Sequence, residues 1–278
     1  MISLKAWAKI NIGLKITGKR NDGFHNIETT LSTINLSDLM SIEEVESGIV
    51  LNTEGLNVAP EDNLCYRAAD SFKKRFHITK GVKISLMKNI PIGGGLGGGS
   101  SDAACALKGM NQLFNLNISA EELFELGREI GSDVPFFIKG GAAYARGRGD
   151  ELKFFKLPAM SLIVYYPGYP ISTAWAYAEY DKTILTQQSE TDIINESGKR
   201  KKKKRLSFTL QNDFERVVFQ KHPDLLDIKT NLIACDAFLV SLSGSGSCLF
   251  AVVDGSNRNK IIKYLDGIGA QYFEVRTI

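Results

Sequence analysis

The chain has 278 residues, enough for one large domain or two of ordinary size, and its apolar, aromatic and charged fractions of 44, 9 and 23% are those of a globular protein. Its net charge of +3 comes from one run, KRKKKKR at 199–205; outside those seven residues 27 basic side chains stand against 31 acidic ones, a net −4 that offers nucleic acid no general attraction. No window of about 18 apolar residues occurs, and Lys5 and Lys9 interrupt the apolar start, so neither a membrane span nor a secretory signal is expected and the cytoplasm is the expected location. Cys65, Cys105, Cys235 and Cys248 are widely spaced without a CxxC pair and read as buried thiols, not as a disulfide framework or a zinc site.

In chain order, AKINIGLKITGKRNDGFHNIETTLSTI (8–34) alternates and is rich in isoleucine and threonine, with Asn21-Asp22-Gly23 as a turn; it predicts two antiparallel strands. DNLCYRAADSFKKRFH (62–77) sets Leu64, Ala68, Phe72 and Phe76 on one helical face and gathers Lys73, Lys74 and Arg75 at the end that favours cations. VKISLMK (82–88) predicts a strand, and PIGGGLGGGSSDAA (91–104) follows it directly. Ala103, Ala104, Leu107, Met110 and Phe114 then predict a helix from Ser100 to Phe114. Ser119 and Glu122 form a capping-box pattern for a third helix, which ends at Gly131.

SDVPFFIKGGAAYARGRGDELKFF (132–155) reads as short strands between glycine turns, and a domain boundary is expected at 156–158, giving halves 1–156 and 157–278. The second half opens with a buried strand, SLIVYYP (161–167). DAFLVSLSGSGSCLFAVVD (236–254) predicts two strands joined by a serine and glycine loop, and a helix near 257–266 and a strand QYFEVRTI (271–278) complete an α+β unit. Residues 182–207 are polar, end in the basic run, and are expected to be poorly ordered.

Six glycines in seven positions, 93–99, have the composition of a linker, but a linker does not sit between a strand and a helix that must pack together. There glycine permits φ > 0 and a close backbone approach, while the helix N-terminus adds free N–H groups and the positive end of its dipole. The stretch therefore predicts an anion site, with phosphate as its natural ligand. Walker A is excluded because no lysine stands in the loop or beside Ser100. Gly93, Gly95 and Gly98 meet GxGxxG almost automatically, and no strand ending in an acid follows where a dinucleotide ribose would need one.

PIGGGLGGGSSDAA resembles the phosphate loop of the GHMP kinases, the group of galactokinase, homoserine kinase, mevalonate kinase and phosphomevalonate kinase. AKINIGLKITGKRNDGFHNIET (8–29), GSDVPFF (131–137), QNDFE (211–215) and SLSGSGSCLF (241–250) narrow the resemblance to the 4-diphosphocytidyl-2-C-methyl-D-erythritol kinase family of the non-mevalonate isoprenoid pathway, over nearly the whole chain and in the family's order. The resemblance implies an α+β, two-domain GHMP kinase fold, with a ribosomal S5 domain 2-like N-terminal half and a ferredoxin-like C-terminal half. It implies ATP at the glycine loop, Mg²⁺ entering with the nucleotide and CDP-methylerythritol across the cleft. The expected partner is that small molecule, with no nucleic acid and no membrane, in a monomer or homodimer.

Asp133 alone reads as a turn residue capping backbone N–H groups; the resemblance makes it the catalytic base. Lys9 alone points to solvent from an alternating strand; the resemblance pairs it with Asp133, and Asn11, on the same strand face, with the substrate polyol. Phe24 and His25 alone are packing residues; the resemblance has them recognise cytosine by stacking and by hydrogen bonds. The second aromatic wall maps onto Tyr177, with Thr173 near the substrate, although Tyr169 and Trp175 stand close enough to compete. For ATP the resemblance implies Pro91, Ile92, Gly93, Gly94, Gly95, Leu96, Gly97, Gly98 and Gly99, with the hydroxyls of Ser100 and Ser101 reaching phosphate or Mg²⁺ at the helix N-terminus. Asn63 and Lys88 read equally as ATP neighbours or as a helix cap and a solvated strand end. No carboxylate cluster marks a separate metal site. Asp-Gly-Phe-His distinguishes this reading from a homoserine or mevalonate type kinase, and the basic run lacks the aromatics of a nucleic-acid binder.

Overall fold

The computed structural model describes residues 1–55, 58–191 and 210–278. Strands β1 (Ile2–Lys19) and β2 (His25–Val45) form one long antiparallel hairpin whose turn carries Gly23 at φ +84°. The hairpin is not a simple alternation. Register shifts between Trp7 and Lys9, between Ile12 and Leu14, and between Ile16 and Gly18 break the period of two, so Ala8, Lys9, Ile10 and Asn11 are buried in succession. Lys9 is therefore not the solvent-facing residue that alternation permits.

The hairpin belongs to a six-stranded sheet with β3 (Ile49–Glu54), β4 (Gly81–Met87), β5 (Ala142–Arg146) and β6 (Glu151–Phe155), in the order β3-β4-β2-β5-β6 with β1 on β2. Four helices cover it: α1 (Leu64–Arg75), α2 (Gly98–Leu113), α3 (Ala120–Ile130) and α4 (Val134–Lys139). Phe72, Met110, Leu126 and Phe136 meet in the core between helices and sheet. The capping box on α3 is present, with Ser119 and Glu122 each bonded to the other's backbone N–H; such caps contribute about 1 kcal/mol.

The α4 segment VPFFIK corrects the strand expected there. Pro135 is tolerated in a first helical turn, Gly140 at φ +72° ends it, and burial of Val134–Ile138 on every side hides the helical period.

The chain crosses to a second sheet between Phe155 and Ser161. Strands β7 (Ser161–Tyr166), β8 (Leu239–Leu242), β9 (Leu249–Val253) and β10 (Gln271–Arg276) lie antiparallel in the order β10-β7-β9-β8, the ferredoxin-like order. Helices α5 (Thr173–Thr191), α6 (Glu215–Lys221), α7 (Pro223–Ala234) and α8 (Arg258–Gly267) accompany it. Sequence periodicity predicts only the last of these. Helix α5 takes in residues 182–191 of the segment expected to be poorly ordered, whereas the rest of that segment, with the basic run, lies outside the described residues.

The two sheets are joined through a core of their own. Ala8, Ile10 and Ile34 from the first, with Ile90 and Leu96 from the loop after β4, pack on Leu162, Val164, Phe250 and Val275 from the second. Fully burying one large apolar side chain contributes about 1.5–3 kcal/mol, so this joint is strong. The chain end is bound to the first sheet, with the Ile278 N–H donating to the Thr33 carbonyl at 3.0 Å. Cys65, Cys105 and Cys248 are buried free thiols as expected, and Cys235 is a half-buried one. Among the described residues no helix is long and apolar enough to cross a membrane.

Candidate active site

A cleft of about 940 Å³ opens where the two halves meet. Its floor is the glycine stretch, which the fold holds from behind. Gly93, Gly95 and Gly97 have φ of +68°, +77° and +70°, so a side chain is strained at each. The carbonyls of Gly93, Gly94, Gly95 and Leu96 are all taken by the protein: Ile171 N–H (3.1 Å), Cys248 N–H (3.1 Å), the Ser243 hydroxyl (2.9 Å) and Lys9 N–H (3.0 Å) donate to them in turn. The N–H groups of Gly95–Ser100, by contrast, donate to no protein acceptor among the described residues. Fastened carbonyls and unused N–H groups along the cleft wall, at the head of α2, are an arrangement suited to binding an anion.

Beside the loop, Lys9 Nζ lies 3.8 Å from Asp133 Oδ2, an ion pair too long for a direct hydrogen bond. Lys9 donates to Asn11 Oδ1, Asn11 Nδ2 donates to the Thr29 hydroxyl (3.0 Å), and that hydroxyl donates to the Gly13 carbonyl (2.6 Å). Both ends of the Asn11 amide are thus used to orient Lys9, although the residue lines the cleft as expected for a substrate contact. Burial pushes the Lys9 ammonium below its ordinary pKa, and the charge of Asp133 works against that shift. Asp133 precedes α4 in the cap position, but its side chain caps no N–H. The capping role that the sequence alone suggests is absent, and the carboxylate, about one third exposed (35%), faces the cleft.

Lys88 corrects the solvated strand end. Its ammonium is enclosed between the carboxylates of Asp38 and Asp102, at 2.6 Å from the latter. Asp38 also accepts from the backbone N–H groups of Asn89 (2.6 Å) and Ile90 (2.8 Å), which fixes the chain entering the loop. Asp102, one turn into α2, is pushed up to about 7 by burial, against the opposing pull of Lys88 and with the nearby charge of Asp38 adding to the rise. Its Oδ1 is buried without a hydrogen-bond partner. Ser100 lines the cleft, but Ser101 does not; its hydroxyl donates to the Trp7 carbonyl at 2.7 Å, so the expectation that it reaches phosphate is corrected. Asn63 caps α1 by accepting from Cys65 N–H (2.8 Å) and lines the cleft as well.

At the far end, Phe24 is half exposed and the Arg148 guanidinium lies 3.9 Å from its ring centre, a cation–π contact. His25 is buried, with Tyr177 stacked on it at 4.5 Å and 14°. Tyr177 is pushed up to about 12 by burial first and by the charge of Asp133 second. Of the three aromatics in its stretch, Tyr177 is the one that lines the cleft. Tyr169 stacks on His222 at 5.1 Å, and Trp175 meets the same ring edge-on. Thr173, at the start of α5, bonds the Ser245 hydroxyl at 2.9 Å and brings the second glycine loop to the cleft.

Sequence reading misses Asp38, Asp102, Arg148 and Asp181. Asp102 had a signal, since it occupies the helical stripe that continues as Ala106 and Gly109 and ought to be apolar. Asp181 follows Thr173 and Tyr177 at steps of four, a signal readable only once α5 is known to be a helix.

The fold and this cleft define a GHMP kinase. The sequence models of the GHMP kinases N terminal domain and the GHMP kinases C terminal match residues 63–141 and 196–270. The chain is 39% identical to the 4-diphosphocytidyl-2-C-methyl-D-erythritol kinase of Bacillus pumilus, over 99% of this chain and 96% of that one. It is 38% identical to the enzyme of the same name from Prosthecochloris aestuarii, over 92% and 90%. A crystal structure of 4-(cytidine 5'-diphospho)-2C-methyl-D-erythritol kinase superposes with TM-score 0.79 at 30% identity, covering 99% of each chain. The Methanococcus jannaschii mevalonate kinase, at TM-score 0.70 and 19% identity over 100% and 98%, shares the fold. The chain belongs to the 4-diphosphocytidyl-2-C-methyl-D-erythritol kinase family.

Proposed function

We propose that the chain transfers the γ-phosphoryl group of ATP to the 2-hydroxyl of 4-diphosphocytidyl-2-C-methyl-D-erythritol, a step toward isoprenoid precursors. The observation that carries the reading is the Lys9–Asp133 pair set beside a row of free loop N–H groups. Phosphoryl transfer needs its reactants held in line and its charge stabilised, with little covalent work from the protein.

Asp133 accepts the hydroxyl proton as the oxygen attacks the γ-phosphorus; a new P–O bond forms, the bond to the bridging β,γ-oxygen breaks, and ADP leaves. Lys9 stabilises the negative charge on the attacking oxygen and holds the Asp133 carboxylate in place. The N–H groups of Gly95–Ser100 bind the phosphate oxygens. Phe24, His25 and Tyr177 hold the cytosine ring, with Thr173 beside the polyol. Magnesium, arriving with the nucleotide, neutralises charge on the β- and γ-phosphates when bound, and the Ser100 hydroxyl and the unpartnered Asp102 Oδ1 are donors suited to hold it. Among the described residues no group of three or more His, Cys, Asp or Glu side chains forms a metal site independent of the nucleotide.

The reading is tested by ADP release with the cytidylyl substrate against homoserine and mevalonate. Release with the first alone is expected; release with either of the others alone overturns it.

A further inference from the structure

His25 is held in a way that packing alone does not require. Its Nε2 lies 2.7 Å from Asp181 Oδ1, while the other carboxylate oxygen of Asp181 accepts from Lys19 at 2.6 Å. Tyr177, one helical turn before Asp181 on α5, lies flat on the same imidazole. Two side chains from the second half of the chain thus fix a ring carried by the hairpin of the first. The carboxylate remains charged: burial raises its pKa, but the hydrogen bonds from Lys19 and His25 outweigh that and lower it.

An ionised carboxylate can only accept, so Nε2 must carry the proton of this hydrogen bond. In the neutral ring Nδ1 is then left with its lone pair, and it has no hydrogen-bond partner among the described residues. A lone pair accepts from an amino group and repels a carbonyl oxygen. At position 4 a cytosine presents an amino group, and a uracil presents an oxygen.

We infer that Asp181 is the positioning residue that fixes His25 as its Nε2–H tautomer and so selects an amino-bearing pyrimidine over an oxo-bearing one. The inference rests on the reading above that His25 faces the base of the substrate. The arrangement follows the way a carboxylate sets the tautomer of a metal-bound histidine, here directed at an organic donor. In Asp181→Asn the side chain can both accept and donate, so the Nε2–H form loses its enforcement and the Nδ1–H form becomes available to meet an oxygen.

The test has two readouts. ¹⁵N NMR of the imidazole, taken without substrate, is expected to show Nδ1 unprotonated in the wild type and a population of Nδ1–H in Asp181→Asn. In steady-state assays Asp181→Asn is expected to raise KM for the cytidylyl substrate by about 10-fold, with the loss falling on KM rather than kcat, and to cut the preference over the uridylyl analogue by about 10-fold. Asp181→Glu, which keeps an acceptor-only partner, is expected to restore most of the preference. A wild type protonated at Nδ1, or an Asp181→Asn enzyme with unchanged tautomer and preference, overturns the inference. If the wild type releases no ADP with the cytidylyl substrate, the proposed function fails, and the NMR spectra alone decide the tautomer.

Discussion

Lys9 Nζ and Asp133 Oδ2 stand 3.8 Å apart, one on a bulged strand of the first hairpin and the other at the head of a helix read from the sequence as a strand. Asp133→Asn keeps the shape and the cleft and removes the carboxylate that the proposed mechanism uses as proton acceptor. We expect kcat to fall by about 10²–10⁴-fold, the range typical of a lost general base, with thermal stability unchanged. ADP release and a melting curve on the same preparation measure both, and an undiminished rate excludes Asp133 as the base.

Lys9→Met separates charge from packing. The ammonium is almost fully buried, which costs stability, whereas its partner Asp133 keeps contact with water. Losing the buried charge is offset by leaving Asn11 Oδ1 buried without its donor, so the variant is expected to stay close to the wild type in urea and to lose about 10²-fold or more in kcat. Clear destabilisation with retained activity would give Lys9 a structural role instead.

Gly95→Ala and Gly99→Ala make a matched pair. A Cβ on Gly95 would stand 1.9 Å from the Ser243 carbonyl oxygen at φ +77°, while one on Gly99 meets only Leu64 Cδ1 at 3.7 Å in a helical turn. Strain of this kind costs about 1–3 kcal/mol before the clash is added, so the first variant is expected to unfold at clearly lower urea. The second is expected to match or exceed the wild type, since alanine is favoured over glycine in a helix by about 0.5–1 kcal/mol.

Asp102 predicts a pH dependence of stability. Its pKa is raised from 3.8 to about 7 in the folded protein, so between those values the native state binds more protons than the unfolded one. Stability then falls as pH rises through that window. Compared by urea unfolding with Asp102→Asn, which does not titrate there, the wild type is expected to lose ground from about pH 4 to pH 7 and to run parallel to it above. Curves that stay parallel throughout would mean that Lys88 keeps Asp102 ionised.

Local signals made much of this legible. The place of the glycine loop between a strand and a helix could be read because both neighbours are adjacent in sequence, and the Ser119 capping box is equally local. Lys9 could not be placed, because the register shift beside it is a property of two strands and not of one. Asp38, Lys88 and Asp102 form a buried cluster whose members come from β2, the end of β4 and α2, so no window of sequence contains it. Helix α4 was hidden by burial all round. Helix α5 was hidden by its lack of an apolar stripe, since Thr173 and Asp181, on the face it shares with Tyr177, are polar residues that line the cleft.

The loop carbonyls from Gly93 to Leu96 are held by Ile171, Cys248, Ser243 and Lys9, three of which belong to the second half of the chain. The conformation of the loop is thus a property of both halves of the chain and not of the motif alone. A fragment ending at the first sheet would carry every glycine of the motif and lack three of the four donors that hold its carbonyls. Because these bonds restrain the loop independently of anything in the cleft, an anion entering there would cost it little further conformational entropy.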